Sequence, residues 1–495
     1  MIFTDSGLIT QSSADGKYAL TGVSGKVSIM LFKQDYRFDP ISVSAENQNM
    51  VIIGTLLEPP TETYQVSGRV IHADTGVGIR NVNVFAISNG QATITDQSGT
   101  FTISGLSGTA SLYFFQEGWS FSPNRLEVTG EEKELEIRRI PQALNIVEPK
   151  IAGGWGSTLM LKGDGSVWTW GYNSYGQLGN GTTTGSNLPG RALGLSNTMT
   201  VDAGRFHNMA LKDDGTVWVW GYNLFGQLGN GTNADSFVPV QVSALSNVAA
   251  IASGDSHSIA LLKANGSVWA WGYNLFGQLG NGTNTDSNIP VQASGLTGVV
   301  AIAGGKNHSM ALKADKTVWV WGSNSYYQLG NGTGTDSNLP EQVDGLSNVI
   351  AISGGMHHSL ALKADGNVWV WGDNSWGQLG DGTTMPSYVP KQVNGLNNVV
   401  AIAGGERHTI ALKADGSVWT WGFNLYGQLG NGSNATSKVP VQVSGLSNIV
   451  AIAAGSMHSL ALKDDGSVWA WGQNGYGELG VGNYDNTNTP VAVTF

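Results

Sequence analysis

The sequence predicts an all-β protein: a seven-bladed β-propeller in its C-terminal part, preceded by antiparallel β-sandwich modules. Three observations lead there. Tryptophan pairs recur at Trp168/Trp170, Trp218/Trp220, Trp269/Trp271, Trp319/Trp321, Trp369/Trp371, Trp419/Trp421 and Trp469/Trp471, 50 residues apart with one step of 51, and a period in that range marks a solenoid, propeller or array. Each unit holds four short segments with period-2 alternation, which suits a radial four-stranded sheet. Glycine is plentiful, at 70, and charged residues sparse, at 12%, as many strands joined by tight turns require. No 3.6-residue apolar pattern appears, so a helical solenoid is excluded.

The front of the chain carries a different repeat. Residues 15–40 and 98–123 match at an offset of 83, with Gly16, Tyr18, Gly22, Gly25, Phe32, Tyr36 and Pro40 falling on Gly99, Phe101, Gly105, Gly108, Phe115, Trp119 and Pro123. The second copy has leading strands at 64–70 and 82–85 that the first lacks. Short alternating segments punctuated by Asp74-Thr75-Gly76, Asn89-Gly90 and Asp96-Gln97-Ser98-Gly99 read as strands and turns of a small antiparallel sandwich. The expected division is a truncated module over 1–60, a complete one over 61–140, a linker over 141–150 around Pro141 and Pro149, and the propeller over 151–495. A sandwich lacking its first strands has an open edge, so the chain is expected to be the C-terminal part of a longer protein whose export signal lies upstream. Val66-Ser67-Gly68-Arg69-Val70, the Thr75 to Val84 run and Thr95-Asp96 through Phe101 resemble the carboxypeptidase regulatory-like domain. That resemblance implies a transthyretin-like sandwich, of a carbohydrate-binding-like fold, serving as a spacer on secreted bacterial proteins. Trp119 and Phe121 could stack on a sugar, but core packing is the reading burial favours.

One propeller unit reads Val300-Ala301-Ile302-Ala303-Gly304-Gly305, two variable residues, then His308-Ser309-Met310-Ala311-Leu312-Lys313. A turn at Ala314-Asp315, the Trp-x-Trp strand, a Gly-Gln-Leu-Gly-Asn-Gly-Thr type loop and Pro340-Glu341-Gln342-Val343 complete it. These give strands A to D. Tryptophans at i and i+2 point to one side of strand C, and each would hide about 150–250 Å², roughly 4–6 kcal/mol gross. All fourteen are expected to be core. The Ala-Gly-Gly-x-x-His-Ser-x-Ala-Leu, Val-Trp-x-Trp-Gly and Gly-Gln-Leu-Gly motifs closely resemble the regulator of chromosome condensation repeat family, over about 150–495. The resemblance implies a seven-bladed ring with blades offset from the sequence units. A terminal strand would then close one blade, the candidates being the segment before Ile151 and Pro490-Val491-Ala492-Val493.

The family's founding nuclear member is a nucleotide exchange factor that uses a wedge-like insertion and basic tails. Here the sole irregularity is one extra residue near Leu261-Leu262, expected as a bulge, and no basic tail exists. The formal charge of −11 argues against nucleic acid. With no cysteine, thiol chemistry and disulfides are excluded, and no apolar run reaches the roughly 18 residues of a membrane span. His207, His257, His308, His358, His408 and His458 hold one repeat position, with Ser157 in the first unit. A hydrogen bond fixing the A–B turn is the expected role rather than metal ligation, and His357 is expected as an exposed loop residue. The Asp-Gly pairs offer too few oxygens for calcium and read as hairpin turns. Asn180, Asn230, Asn281 and Asn331 match the glycosylation pattern but a fixed turn explains them. No triad, paired-carboxylate cleft or phosphate loop is assignable, so neither enzyme activity nor a cofactor is expected.

The contact surface follows from the repeats themselves. A–B and C–D loops leave one side of a meander, and B–C turns the other. The B–C turns are monotonous (Asp164-Gly165, Asp214-Gly215, Asn265-Gly266, Asp365-Gly366, Asp415-Gly416, Asp465-Gly466), whereas the A–B loops vary. The candidate partner-binding residues are Trp155, Arg205, Phe206, Asp255, Lys306, Asn307, Met356, His357, Glu406, Arg407 and Met457 of the A–B loops. Tyr175, Phe225, Phe276, Tyr326, Trp376, Tyr426 and Tyr476 of the C–D loops join them, with bracing of their own turn the larger part expected of this second ring. Aromatics with scattered Arg and Met are what interface centres favour. The expected protein is a monomeric, non-enzymatic, extracellular or surface-attached binder of a protein or glycan, cytoplasmic if the chain is complete. The alternatives are a small-GTPase exchange factor and a cell-wall or polysaccharide binder.

Overall fold

The computed structural model describes residues 149–495 throughout and, before them, residues 2–4, 9–10, 26–31, 36–37, 41–44, 55–56, 63–72, 78–80, 82–86, 91–106, 109–115, 119–122, 125–128 and 135–141. Most of the linker, residues 15–25 and the turns at Asp74 and Asn89 lie outside the described residues. The chain divides into two units, Met1–Ile146 and Val147–Phe495.

In the first unit, Thr100–Leu106, Tyr64–His72, Leu135–Pro141 and Trp119–Ser122 form one sheet in that order. Arg125–Val128, Ala110–Phe115, Asn83–Ala86 and Gln91–Ile94 form another. Val66, Phe101 and Ile137 of the first join Val84, Leu112 and Val128 of the second in one buried cluster, as alternating apolar positions require. The pairs are antiparallel except Leu135–Pro141, which runs parallel to Tyr64–His72 after crossing back from the other sheet. Lys26–Leu31 and Ile41–Ser44 pair antiparallel at positions nearly one offset before Ala110–Phe115 and Arg125–Val128.

The second unit is a ring of seven four-stranded sheets, each in the order A-B-C-D. The first blade uses Lys150–Gly153, Ser157–Leu161, Val167–Gly171 and Ser186–Arg191, and the last Ile449–Ala454, His458–Lys463, Val468–Gly472 and Thr487–Ala492. Blades therefore coincide with the sequence units, and the offset closure implied by resemblance does not occur. The first strand already pairs with its own neighbour (Ile151 opposite Met160), so the ring shuts by side-chain packing and the same inter-blade hydrogen bonds that join the other blades. Ile151, Met160 and Trp170 close against Leu460, Leu462, Val468 and Leu479.

The tryptophan pairs divide. The second ring of each, from Trp170 to Trp471, is completely buried against the preceding blade; Trp321, for example, packs with Ile259, Leu261 and Val268. The first rings are only half-buried. They lie at the B–C end of strand C, where Lys212 Nζ stands 4.2 Å over Trp218 and Trp218 Nε1 donates to Thr216 Oγ1. Fourteen core rings are thus corrected to seven. The extra residue falls in the third B–C turn, where Gly266 N reaches back to Leu262 O, and not in a strand bulge. Bulges instead recur at the start of strand A, as between Val248 and Ala250, and in strand C.

Three concentric hydrogen-bond rings lock neighbouring blades. Near the axis the A–B loops link backbone to backbone: Trp155 N to Arg205 O, Arg205 N to Asp255 O, and onward to Ser456 N with Gly154 O, at 3.1–3.3 Å. Further out, each buried indole donates to the loop carbonyl of the preceding blade, from Trp220 Nε1 to Gln177 O (2.9 Å) round to Trp170 Nε1 to Glu478 O (2.9 Å). At the rim the glycine after each Asn or its equivalent donates to the next strand D, from Gly181 N to Phe237 O round to Gly482 N to Asn187 O.

Candidate functional site

The two variable residues of each A–B loop sit above this frame. The inner one borders a channel of about 410 Å³ lined by the A strands, with Trp155, Arg205, Asp255, Lys306, Met356 and Glu406 round its mouth. All are half-buried. The outer one presents its carbonyl to the first C–D residue, as Phe206 O accepts Tyr222 N at 2.9 Å. That bond brings the two loop sets together on one side, as the meander argument requires.

The aromatic residues there form a continuous arc. Tyr476 lies 5.0 Å from both Trp155 and Tyr172, which are themselves 5.7 Å apart. Tyr175 touches Phe206 and Tyr222 at 5.4 and 4.7 Å, and Phe225 reaches Tyr273 at 4.8 Å. Tyr273–Phe276 ends the series in the third blade. A shorter set, Trp376–Phe423–Tyr426, lies in the fifth and sixth blades. Tyr175, Phe225, Tyr326, Trp376 and Tyr476 each reach a ring of the next blade, whereas Phe276 and Tyr426 pack on the first ring of their own loop. The turn is held by backbone bonds to a buried Gln, as in Tyr175 N to Gln177 Oε1, and by a buried Asn such as Asn173, which accepts Leu178 N and donates to Thr182 O and Thr184 O.

Polar groups interrupt the face. Arg205 pairs with Asp255 at 3.4 Å while its guanidinium lies 5.1 Å from the Phe206 ring. Burial nevertheless raises the Asp255 carboxyl above the usual range, with Arg205 and Lys306 opposing. Glu406 is raised by burial too and pairs with Arg407 at 3.5 Å. Asn307 and Met457 are half-buried at the outer position, Met457 sulfur accepting from Gln428 Nε2. His357 is not an exposed loop residue: it is half-buried, stacks on Tyr326 at 4.2 Å, and burial depresses it to about 4. Leu224, Leu275 and Leu425 stand at loop apices between aromatic positions, 57–62% exposed, and sequence reasoning missed them. The signal available was the alternation Ser174, Leu224, Leu275, Ser325, Ser375, Leu425, Gly475 at one repeat position.

The repeat histidines join blades rather than fix their own turns. His207 Nε2 meets Ser258 Oγ at 3.0 Å, and Ser258 Oγ donates to Gln227 O at 2.8 Å. The hydroxyl proton is thereby committed to the carbonyl, so Nε2 carries the ring proton. The same link recurs through His458 and Thr158. Each ring lies over the second glycine of its unit; a Cβ on Gly305 would come 2.0 Å from His308 Cε1. Complete burial holds the six to about 3–4, neutral at ordinary pH. Ser157 breaks the series where the next blade carries Asn208 in place of a hydroxyl, and Asn208 Nδ2 itself donates to Gln177 O at 2.6 Å.

Comparison with known proteins agrees with this architecture. A model described as RCC1-like domain matches residues 245–495. Two models of the regulator of chromosome condensation (RCC1) repeat match 164–211 and 214–261, and 150–177 and 200–227. The ultraviolet-B receptor UVR8 of Arabidopsis thaliana is 34% identical over 193 residues, which cover 38% of this chain and only 29% of the receptor. Human WBSCR16 superposes with a TM-score of 0.60 at 25% identity, covering 67% of this chain and 94% of its own. Prp20p of Saccharomyces cerevisiae gives 0.59 at 25%, covering 66% and 85%. The matched residues span half the chain and carry the Trp, His and Gly-Gln-Leu-Gly positions that build the ring; the chain belongs to the RCC1-like domain family.

Proposed function

We propose that the protein is a non-enzymatic binding protein whose A–B/C–D loop face docks a protein partner. We place it outside the cell or on its surface, with residues 1–140 as carboxypeptidase regulatory-like sandwich modules forming a stalk. The observation that carries the docking reading is the aromatic arc over the first three blades with exposed Leu224 and Leu275 beside it, held on a hydrogen-bonded frame. Rigid aromatic anchors at a patch centre are what protein interfaces use. Prp20p was described together with its binding to Gsp1p and histones, which favours a protein over a glycan as the class of partner.

The test is partner capture by photo-crosslinking from position 224 on the loop face and from position 365 on the B–C face. Adducts that form only from 224 and vanish in Phe206→Ala/Tyr222→Ala support the reading; equal adducts from both faces overturn it. Exchange on a small GTPase is the second reading, favoured by the match to the regulator of chromosome condensation repeat, and a nucleotide-release assay decides it.

A further inference from the structure

The seam where the ring closes departs from the repeat at several positions at once. Six blades carry Gln in the Gly-Gln-Leu-Gly loop; the seventh carries Glu478. The blade that follows has Gly156 as its outer A–B residue, where the others have Phe206, Ser256, Asn307, His357, Arg407 and Met457. The Tyr476 ring fills that space, since a Cβ on Gly156 would come 2.9 Å from its Cδ2.

Glu478 is completely buried. Its Oε2 accepts Tyr476 N at 2.8 Å, the bond that Gln Oε1 makes in the other blades, and among the described residues its Oε1 has no partner. Its carbonyl accepts Trp170 Nε1 and Thr158 Oγ1, the bonds that hold the last blade to the first. A buried carboxylate oxygen without a donor costs far more than a carboxylic acid in the same place. Among the described residues no charged side chain acts on it. The titratable groups on the elements round it are Tyr476 on its own loop, Tyr172 on the facing strand end, and His458, which meets Thr158 Oγ1 at 3.0 Å.

We propose that Glu478 is a proton-operated latch of the closing seam: neutral, it lets Tyr476, Trp155 and Tyr172 pack as one corner of the loop face, and ionised it loosens that corner. Burial pushes its carboxyl up to about 7, which puts the change at ordinary pH. Ionisation must either draw water in beside Oε1 or shift the loop that carries Tyr476. The sign is fixed by linkage. A carboxyl raised above its unfolded value stabilises fully below the unfolded pKa, about 4.5, and that stability is lost as pH rises to about 7. The bearing on partner binding rests on the loop-face reading above; the latch itself does not.

The experiment is a pH titration of the folded full chain, from 5.5 to 8.5, by aromatic NMR and tryptophan fluorescence, with urea midpoints across pH 4.5–8. The wild type is expected to show one-proton behaviour near pH 7 at Trp155 and Tyr476, and a urea midpoint that falls relative to Glu478→Gln from 4.5 to 7. Glu478→Gln, the residue six blades already accommodate, should abolish both. Asp202→Asn serves as control, because Asp202 lines the channel, accepts Ser253 N and is raised by burial to about 6, and its replacement should not affect the seam signal. A transition that persists in Glu478→Gln, or one absent from the wild type, overturns the proposal. No partner is needed, so failure of the crosslinking test leaves this outcome untouched, and the reverse holds equally.

Discussion

Replacing one tryptophan of a pair by alanine should cost very different amounts according to which is removed. Trp371 is completely buried among Met310, Leu312, Val318 and Leu346 of the preceding blade and donates to Gln328 O at 2.8 Å. Trp371→Ala should lose about 3–5 kcal/mol from the cavity and about 1 more from the indole bond, so about 4–6 in all. Trp369 lies two residues away on the same strand but is half-buried, with Lys363 Nζ 5.2 Å over it. Trp369→Ala should cost about 2 kcal/mol, on the order of half the burial of its neighbour. Urea unfolding followed by far-ultraviolet circular dichroism measures both, read as midpoints at unchanged slope. Equal losses, or the larger loss at Trp369, would refute the assignment of the second ring as the wedge between blades.

Acid should destabilise the propeller. Six inter-blade histidines are held near 3–4 when folded against about 6.5 unfolded. The stability from their neutral form is present above 6.5 and lost towards 4, each contributing a slope of about 1.4 kcal/mol per pH unit. Asp202 and Glu478, raised to about 6 and 7, oppose this, and melting temperatures between pH 7 and 5 should still fall. Lys316 occupies φ 70° where the equivalent residue in the other blades is glycine. Lys316→Gly should therefore raise stability by about 0.5–1 kcal/mol on thermal melting. Gly305→Ala should destabilise by several kcal/mol because a Cβ cannot share space with His308, whereas Gly345→Ala, open on all sides at φ 77°, should cost only about 1. Arg205→Ala should leave the melting temperature within a degree or two, since its ion pair is partly exposed.

The period of 50 and the Trp-x-Trp strand made the ring legible, because sheet number and strand number follow from repeat count and alternation alone. Depth was not legible. Residues i and i+2 share a side, but strand C runs from the B–C turn towards the loop face, so Trp168 ends near Lys162 and Ser166 while Trp170 reaches the interior. The role of the histidines was hidden for a similar reason: His308 and Ser359 stand 51 residues apart and meet only when blades are neighbours. The joint change to Ser157 and Asn208 was the trace in the sequence. Variation marked the A–B positions, and the structure sets the inner one of each pair round one channel mouth. Leu224 and Leu275 are not legible as exposed, because an apolar residue between two aromatics on a loop reads as packing, and only the folded loop places them in solvent.

A rigid frame of inter-blade hydrogen bonds carries a variable face. Amide hydrogen exchange at Trp155, Arg205, Asp255, Lys306, Met356, Glu406 and Ser456 tests it most directly, since these residues lie on loops yet close the innermost hydrogen-bond ring. Slow exchange at all seven, comparable with strand B, is the predicted result. Exchange as fast as that of the exposed turns at Gly345 and Gly445, or fast exchange confined to Ser456 and Trp155, would contradict a closed frame.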